Sequence, residues 1–556
     1  MKMHGRVKVR TTKEQEALKK KERAEKLARY RAGINIIFQK RKDKVYDDEM
    51  LLLTERMLTQ NPDIYTLWNI RREAFTQSNW DEKTLEEHHK HELTLTENCL
   101  KESPKSYYVW HQRLWIMDRT KEPDWEKELM LCAKCLNLDE RNFHCWDYRE
   151  FIVKKANISD NKEFDFSTTK ILSNFSNYSS WHYRSRILSK IFNSSTDQSC
   201  INQKKTEELE LVMNATFTDP SDTSAWFYQR WLLDPRETRG ILSRVLIREN
   251  RAIVAFDSNV DGEAVISLYV NNCKMNAQWK SLSGNKFSSI WLTCFTDTIP
   301  SRKDATEVRL QFEDQSYVLN WSDNNTWWIY KAQTDVGTIN CYSKEQLYEQ
   351  LSSYKQLSQM EPNNKWALLT EVLLMRKANR VQFHNDILSN LDILTKIDSL
   401  RINYYQDLRS KYVTECVLNE LWQNEEDLEM SSVLDLSDLA LTSLSNEQYL
   451  AFFVEVNLGS NALGNSISRL STLQSCEKLS LSSNRIKSLI QLPSLPKLRL
   501  LSLRNNHLSD PEDVIDFVKR HKELRMLDLR DNPVYEIDTT RHRITEACPT
   551  VQFYAD

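Results

Sequence analysis

Five copies of one motif place tryptophan at nearly regular intervals along the first 230 residues. Trp68, Trp110, Trp146, Trp181 and Trp226 are separated by 42, 36, 35 and 45 residues, and an arginine follows each of them three or four positions later. Self-similarity at this period is typical of stacked helical pairs, in which each repeat contributes two helices. We therefore expect the tryptophans to pack between helical layers. We expect the arginines to reach a loop carbonyl or a carboxylate of the next repeat.

The helical pattern ends after Asp234. Between Gly240 and Lys331, short runs rich in β-branched and aromatic residues alternate with turn residues, which is the pattern of an all-β domain of about seven strands. Helical periodicity resumes near Ser343, and the approach to Trp366 resembles the entry to the earlier repeats. We therefore predict that a β-sandwich-like domain is inserted into the helical domain, since insertion is tolerated where both ends of an insert emerge at one loop.

A second repeat, with a shorter period, begins near Ser431. Four segments fit the leucine-rich consensus, in which alternate leucines face a core and an asparagine satisfies backbone groups at the bend. An earlier segment around Leu434 fits as a degenerate first turn, with Leu439 in place of the asparagine. The pattern predicts a leucine-rich domain that serves as a docking surface. Its consensus asparagines are Asn461, Asn484, Asn506 and Asn532.

These patterns predict a multidomain chain, because 556 residues are too many for a single hydrophobic core. The predicted fold class is an α-helical hairpin-repeat solenoid with an inserted β-sandwich domain and a C-terminal leucine-rich repeat domain. The predicted boundaries are residues 1–237 for the first helical part, 238–342 for the β domain, 343–428 for the second helical part, and 429–556 for the leucine-rich domain.

Charge and motifs exclude several classes of function. Lysine and arginine number 76 against 79 aspartates and glutamates, a net charge of −3, so nothing global favours nucleic acid or an anionic membrane as a partner. No run of 18 apolar residues predicts a membrane-spanning helix, and the N-terminal segment lacks an apolar signal core, which predicts a cytoplasmic protein. Walker, GxGxxG, GxSxG and HExxH motifs are missing. With only 8 glycines, a glycine-rich phosphate cradle is disfavoured.

The cysteines and histidines form no metal-ligand pattern. The 11 cysteines are scattered and are expected to be free thiols. One CxxC pair, Cys132 and Cys135, lies inside an apparent helix without a second pair at metal-ligand spacing, so both are expected to be ordinary helix positions. His88, His89 and His91 lie in a charged helical segment and are predicted to face solvent.

The stretches PKSYYVWHQR, NFHCWDYR and NYSSWHYR resemble the repeat of protein prenyltransferase α subunits. The order of helical repeats, β insert, helical return and leucine-rich tail is similar to that of the α subunits of Rab geranylgeranyltransferases. The resemblance implies a subunit of an enzyme that transfers geranylgeranyl from geranylgeranyl diphosphate to C-terminal cysteines of Rab GTPases, which an escort protein presents. It also implies a β subunit that holds the zinc and the lipid pocket, with no cofactor bound by this chain alone.

The resemblance also implies which residues of this chain approach the reaction. It places Lys105 and Tyr107 beside the lipid diphosphate, and it gives His144 a role in substrate binding. An allylic diphosphate that alkylates a zinc-bound thiolate builds negative charge on its leaving group, and an ammonium with tyrosine or histidine donors stabilises that charge. Phe143 stands where the family can have a tyrosine, and Gln229 stands where the fifth arginine is expected.

Other interpretations of these residues are open at the level of sequence. Lys105 can be a solvated loop residue, and His144 a packing residue at a helix N-terminus. His4, on a short basic segment, can belong to a flexible tail or can be a ligand to the partner's zinc. The whole chain can instead be a non-catalytic scaffold of half-TPR-like repeats for RNA processing, although RNA binding usually brings a basic patch. A pure leucine-rich adaptor leaves the five tryptophan repeats unexplained.

Overall fold

The computed structural model of the chain forms two compact units, Met1–Trp231 and Leu232–Asp556. We describe each unit by itself. The residues that the structure describes are 13–78, 80–194, 197–233, 240–248, 250–261, 266–282, 284–295, 307–322, 327–332, 342–423, 432–536, 538–547 and 549–553.

The first unit consists of a long helix, α1 (Lys13–Lys42), followed by five helical pairs. Side chains of aspartate or serine cap the first helix of every pair by accepting a backbone N–H, which satisfies donors that a helix leaves unpaired at its start. The pairs are α2 (Asp48–Gln60) with α3 (Tyr65–Gln77), α4 (Glu82–Glu102) with α5 (Tyr107–Met117), α6 (Trp125–Leu138) with α7 (Phe143–Lys155), α8 (Asp160–Ser173) with α9 (Tyr178–Ser194), and α10 (Gln198–Thr218) with α11 (Thr223–Leu233).

All five motif tryptophans are buried, and each indole N–H donates to the backbone carbonyl six residues earlier, in the loop before its helix, at 2.8–3.1 Å. As the sequence predicts, three of them pack against a tyrosine of the next pair: Trp110, Trp146 and Trp181. The ring centroids of Trp146 and Tyr183, for example, are 4.8 Å apart. These three tryptophans therefore join their own loops to the following repeat.

The motif arginines pair with buried glutamates of the next repeat. Arg149, for example, binds Glu163 through two hydrogen bonds of 2.9 and 2.7 Å. The carbonyls that these arginines reach belong to the first helix of their own repeat, as in the bond from Arg149 to Leu129. The expected carboxylate contact is therefore present, whereas the carbonyl contact lies within the repeat instead of in the next loop. The four pairs are Arg71–Glu92, Arg113–Glu128, Arg149–Glu163 and Arg184–Glu208.

Each of these glutamates also accepts a hydrogen bond from the second helix of its own repeat. The donors, which the sequence analysis missed, stand one position before the motif arginine: Gln112, Tyr148, Tyr183 and Tyr228. In the fifth pair, buried Gln229 occupies the arginine position.

Helix α4 differs from expectation at one histidine. His89 is buried and stacks on Phe75 with ring centroids 5.5 Å apart, so the prediction that all three histidines face solvent was wrong for this residue. The reason is helical spacing, because His89 shares a face with the buried residues Glu92 and Thr96, three and seven positions later.

The second unit begins with a strand-rich domain of antiparallel pairs. The strands are β1 (Leu242–Arg248), β2 (Arg251–Val260), β3 (Ile266–Val270), β4 (Cys273–Lys274), β5 (Lys280–Ser281), β6 (Ser288–Cys294), β7 (Val308–Phe312), β8 (Gln315–Ser322) and β9 (Trp327–Lys331). Their order in the sheet is β4-β3-β7-β8-β9-β1-β2-β6-β5. Nine strands are described where about seven were predicted, and the two-residue strands β4 and β5 lie at the sheet edges.

The sheet of this domain is curled. Strands β7 and β2 are four positions apart in the strand order, which in a flat sheet separates them by about 19 Å at the usual strand spacing. Yet the rings of Phe312 on β7 and Phe256 on β2 have centroids only 4.6 Å apart. The two ends of the sheet therefore face each other across one apolar core, which includes Leu268 and Trp291.

Four helices follow the strand-rich domain. The first begins after Ser343, whose side chain forms a reciprocal capping box with Gln346, so helical structure resumes where the sequence predicts it. A helical segment then precedes the C-terminal sheet. The helices are α12 (Lys344–Met360), α13 (Lys365–Asn379), α14 (His384–Ile397) and α15 (Ile402–Gln423), with a 3-10 turn at Ser399–Arg401.

The C-terminal part of the second unit contains six short parallel strands that pair in chain order. Buried asparagines stand at regular positions beside this sheet. The Asn484 amide donates to the carbonyls of Leu458, Leu481 and Ser482 at 2.8–3.2 Å and accepts the Leu463 N–H. The elements are β10 (Val433–Asp435), β11 (Glu455–Asn457), β12 (Lys478–Ser480), β13 (Leu500–Ser502), α16 (Pro511–Arg520), β14 (Met526–Asp528), α17 (Asp538–Ala547) and β15 (Gln552–Phe553), with 3-10 segments at Glu447–Phe452, Gly464–Thr472 and Pro533–Glu536.

Candidate functional site

The loops inside the five helical pairs lie side by side and bond to one another. The Ser106 hydroxyl donates to Asp63 at 2.6 Å, and the Asn142 amide donates to the Pro104 carbonyl at 2.8 Å. We call this row of loops, residues 61–64, 103–106, 139–142, 174–177 and 219–222, the loop edge. Because the second helix of every pair begins here, the partial positive charges of five helix N-termini lie along it. Further bonds along the edge join Asn174 to Glu140 and Ser224 to Ser176.

Lys105 lies in the second loop and reaches toward the third. Its Nζ is 2.9 Å from Asp139 Oδ2, and 56% of the Lys105 side chain is exposed. Asp139 ends helix α6, and its other carboxylate oxygen accepts the Arg141 backbone N–H at 3.2 Å. The ammonium is thus held beside a fixed carboxylate while remaining accessible to an anion.

Tyr107 and His144 meet at the starts of α5 and α7. Their ring centroids are 6.0 Å apart, and the ring of Phe143 lies 3.9 Å from that of His144. Partial burial lowers the pKa of His144, and the charge of Asp147 opposes this only in part. His144 is therefore neutral at neutral pH and offers a single N–H donor.

The structure thus brings two of the three predicted site residues into ring contact and sets Lys105 on the adjoining loop. It also shows two features that the sequence analysis missed. One is Asp139, the partner of Lys105. The other is a row of aromatic residues, each more than half exposed, at the first position of a second helix; a recurring aromatic directly after each loop was the available signal. These residues are Tyr65, Tyr107, Phe143 and Tyr178.

The described part of the chain contains neither a metal-ligand cluster nor a membrane-spanning helix. His4 lies outside the described residues. Within them, no group of three or more histidine, cysteine, aspartate or glutamate side chains could hold a metal ion. Cys132 and Cys135 are free thiols in α6. Among the same residues, no helix combines the length and the apolar character needed to span a membrane.

The repeats match a known family along most of the first unit. The protein prenyltransferase alpha subunit repeat is found at residues 47–78, 89–120, 125–156, 160–191 and 206–234. Over 570 residues the chain is 36% identical to the geranylgeranyl transferase type-2 subunit alpha of Bos taurus, and the alignment covers 99% of both chains. The chain belongs to the geranylgeranyl transferase type-2 α subunits. Lys105 and Tyr107 lie in the second matched repeat, and His144 lies in the third.

A shorter type-2 α subunit also matches. The geranylgeranyl transferase type-2 subunit alpha of Dictyostelium discoideum is 40% identical over 237 residues, which cover 42% of this chain and 75% of that protein. Among solved structures, the protein geranylgeranyltransferase-I of Candida albicans complexed with GGPP matches with 17% identity and a TM-score of 0.41, covering 68% of this chain and 88% of that one.

Proposed function

We propose that this chain is the α subunit of a heterodimeric enzyme that transfers geranylgeranyl from geranylgeranyl diphosphate to C-terminal cysteines of Rab GTPases, presented by an escort protein. The observation that carries the proposal is the 36% identity to a type-2 α subunit across 99% of both chains. The partner is then a β subunit that holds most of the active site, and the enzyme works in the cytoplasm.

Within the loop edge, the second and third loops, residues 103–106 and 139–142, and the helix starts that follow them are the part of this chain that we assign to the lipid diphosphate. Lys105 supplies a cation whose ammonium is accessible. Tyr107 supplies an exposed hydroxyl, and neutral His144 an N–H donor within ring contact of it. Donors and cations aimed at a diphosphate stabilise the charge that grows on it as the carbon–oxygen bond breaks. Phe143 has no hydroxyl, so this position contributes its ring only.

The exposed aromatic row supports the assignment of the β subunit to the same edge. Tyr65, Tyr107, Phe143 and Tyr178 are each more than half exposed, and aromatic side chains are enriched where protein surfaces become buried in complexes. A β subunit seated on this row covers these rings and excludes water from the diphosphate, which strengthens the charge interactions of Lys105.

Zinc belongs to the β subunit in this proposal. The described residues of this chain do not fit a zinc site, so no step is assigned to a metal through them. When bound by the partner, zinc would lower the pKa of the substrate cysteine and so make its thiolate available as the nucleophile. What this chain contributes is orientation and charge stabilisation at the leaving diphosphate.

We assign the strand-rich domain and the C-terminal parallel sheet of the second unit from their strand arrangement and buried residues. The curled sheet, with Phe256 facing Phe312 across one core, supports a sandwich-like insert. The parallel strands with buried asparagines at Asn461, Asn484 and Asn506 support a C-terminal leucine-rich repeat domain. A shorter type-2 α subunit that matches only 42% of this chain supports a docking role for the additional parts instead of a role in the chemistry.

The test is reconstitution with the β subunit. The purified heterodimer is assayed for transfer of labelled geranylgeranyl to a Rab GTPase in the presence of escort protein. Lys105→Ala is compared with Lys101→Ala, a control that removes another exposed lysine near the same loop. We expect Lys105→Ala alone to lower turnover at least tenfold, with α–β association unchanged. A heterodimer without transfer activity, or equal effects of the two variants, would overturn the proposal.

A further inference from the structure

The residue that ends the first helix of a pair has the same structural role in four of the five repeats. Its side-chain oxygen accepts the backbone N–H two positions later and so shapes the loop. Asn61 binds Asp63 N at 3.2 Å, and Asn174 binds Ser176 N at 2.9 Å. The aspartates Asp139 and Asp219 make the equivalent bonds to Arg141 and Ser221, both at 3.2 Å.

These four equivalent positions allow a neutral asparagine to be compared with a charged aspartate in the same loop. A neutral asparagine is sufficient for the loop bond at Asn61 and at Asn174, so the fold does not require a negative charge at this position. Among the four in the described part of the chain, Asp139 is the one whose carboxylate pairs with a cation, Lys105 at 2.9 Å. The Asp219 carboxylate accepts the Ser221 hydroxyl at 2.7 Å instead. The negative charge of Asp139 therefore serves a purpose other than the loop hydrogen bond.

We infer that Asp139 is a positioning residue, which orients the Lys105 ammonium toward the lipid diphosphate; this inference rests on the proposed function. A lysine has a flexible stem and three N–H donors. One donor held by Asp139 limits the positions of the ammonium and leaves two donors for a diphosphate. Because Arg141 N–H holds the other oxygen of Asp139, the carboxylate is itself fixed.

The ion pair is weak enough to coexist with substrate. Exposed pairs of this kind change an equilibrium by about a factor of five at most, and both side chains are partly exposed. Removing the Asp139 charge leaves Lys105 less well placed for the charge that grows during the reaction. It also removes a negative charge close to the anionic ligand, so binding of the diphosphate does not weaken. The expected signature is a lower rate without a higher dissociation constant.

The test uses Asp139→Asn in the α–β heterodimer, because asparagine keeps the loop bond as Asn61 and Asn174 do. The dissociation constant of geranylgeranyl diphosphate and the single-turnover transfer rate are measured for this variant. Asp219→Asn is the matched control. We expect Asp139→Asn to lower the rate about two- to fivefold, with unchanged or tighter binding and an unchanged melting temperature. We expect Asp219→Asn to change none of these quantities.

A double-mutant cycle with Lys105→Ala decides the mechanism, since a residue that acts through another has no effect once the other is removed. We expect Asp139→Asn to have no further effect in the Lys105→Ala heterodimer. The same loss of rate in that background, or a fall in melting temperature with equal loss of binding and rate, would overturn the role of Asp139. A failure of the proposed function is distinct, because the wild-type heterodimer then shows no transfer or Lys105→Ala retains full activity.

Discussion

Arg113 and Glu128 form a buried, two-bond ion pair between neighbouring repeats. Arg113 Nε lies 2.7 Å from Glu128 Oε2 and Nη2 lies 2.6 Å from Oε1, with both side chains at most 2% exposed. Burial lowers the pKa of Arg113, but the hydrogen bonds and charge of Glu128 outweigh this and raise it. Tyr148 completes the group by donating to Glu128 at 2.7 Å. Repetition of this arrangement joins the repeats by charge as well as by apolar packing.

Neutralising one partner of this pair is expected to be strongly destabilising. In Glu128→Gln, the Arg113 guanidinium remains buried without a carboxylate, which costs about 3–5 kcal/mol of unfolding free energy. The control is Glu150→Gln, which breaks the partly exposed pair with Arg186 and should cost at most about 1 kcal/mol. Denaturant unfolding followed by tryptophan fluorescence measures both. Equal stabilities of the two variants would show that the buried pair contributes no more than the exposed one.

The sequence predicts the arginines of these ion pairs but not their glutamate partners. The arginines repeat with the tryptophans, so their periodicity identifies them. Their glutamate partners stand 21, 15, 14 and 24 residues away, because the glutamate lies about three turns into the longer first helices α4 and α10 but in the first turn of the shorter α6 and α8. A partner without a fixed spacing has no periodic signal, and only the packed helices identify it.

In the candidate site and in the sheets, too, the sequence predicts individual residues and strands but not which of them lie together. Lys105, Tyr107 and His144 were named from the family resemblance that the motifs around their tryptophans carry, and the helical-repeat family is confirmed. Asp139 was missed because its contact with Lys105 depends on how two loops lie side by side. In the strand-rich domain, alternation of residue types predicted strands but not their order. The proximity of Phe256 to Phe312 depends on that order.

The second unit is expected to lose stability as the pH falls, in part through His521. This buried side chain accepts the Leu495 N–H at Nε2, 3.0 Å away, and its Nδ1 lies 2.8 Å from the Phe517 carbonyl, which suits the neutral ring. Burial lowers the pKa of His521 more than the Phe517 contact raises it. Below about pH 6.5, the usual histidine value, the unfolded chain binds a proton that the folded chain does not. Stability is therefore retained above that pH and falls below it.

Thermal unfolding at pH 7.0 and pH 5.5 measures this effect. His521→Gln should show a smaller fall in melting temperature between the two pH values than the wild type. Partly buried His384 of the same unit, whose pKa burial also lowers, contributes to the fall as well. The control is His542→Gln, since that side chain is 77% exposed. An unchanged pH dependence in His521→Gln would contradict the assignment.

The proposed role of Tyr107 is tested by removing its hydroxyl alone. Tyr107→Phe keeps the ring beside His144 and removes the donor proposed for the diphosphate. We expect the single-turnover rate of the heterodimer to fall about tenfold, less than the hundred- to thousandfold lost with a fully enclosed oxyanion donor, because Tyr107 is 59% exposed in this chain. Stability should not change, since an exposed hydroxyl can bond to water in the folded and unfolded states alike.

Tyr178→Phe is the matched control for this prediction. Tyr178 is also the first residue of a second helix, is 51% exposed, and stacks on His182 at 6.1 Å as Tyr107 does on His111 at 6.0 Å. It differs in having Ser176 two positions earlier, where Tyr107 has Lys105. If the two substitutions lower the rate equally, the hydroxyls act through the shared aromatic row, for instance by contacting the β subunit. A loss confined to Tyr107→Phe shows that the hydroxyl acts at the site formed with Lys105 and His144, because Tyr178 lies beside Ser176 and Phe227 instead.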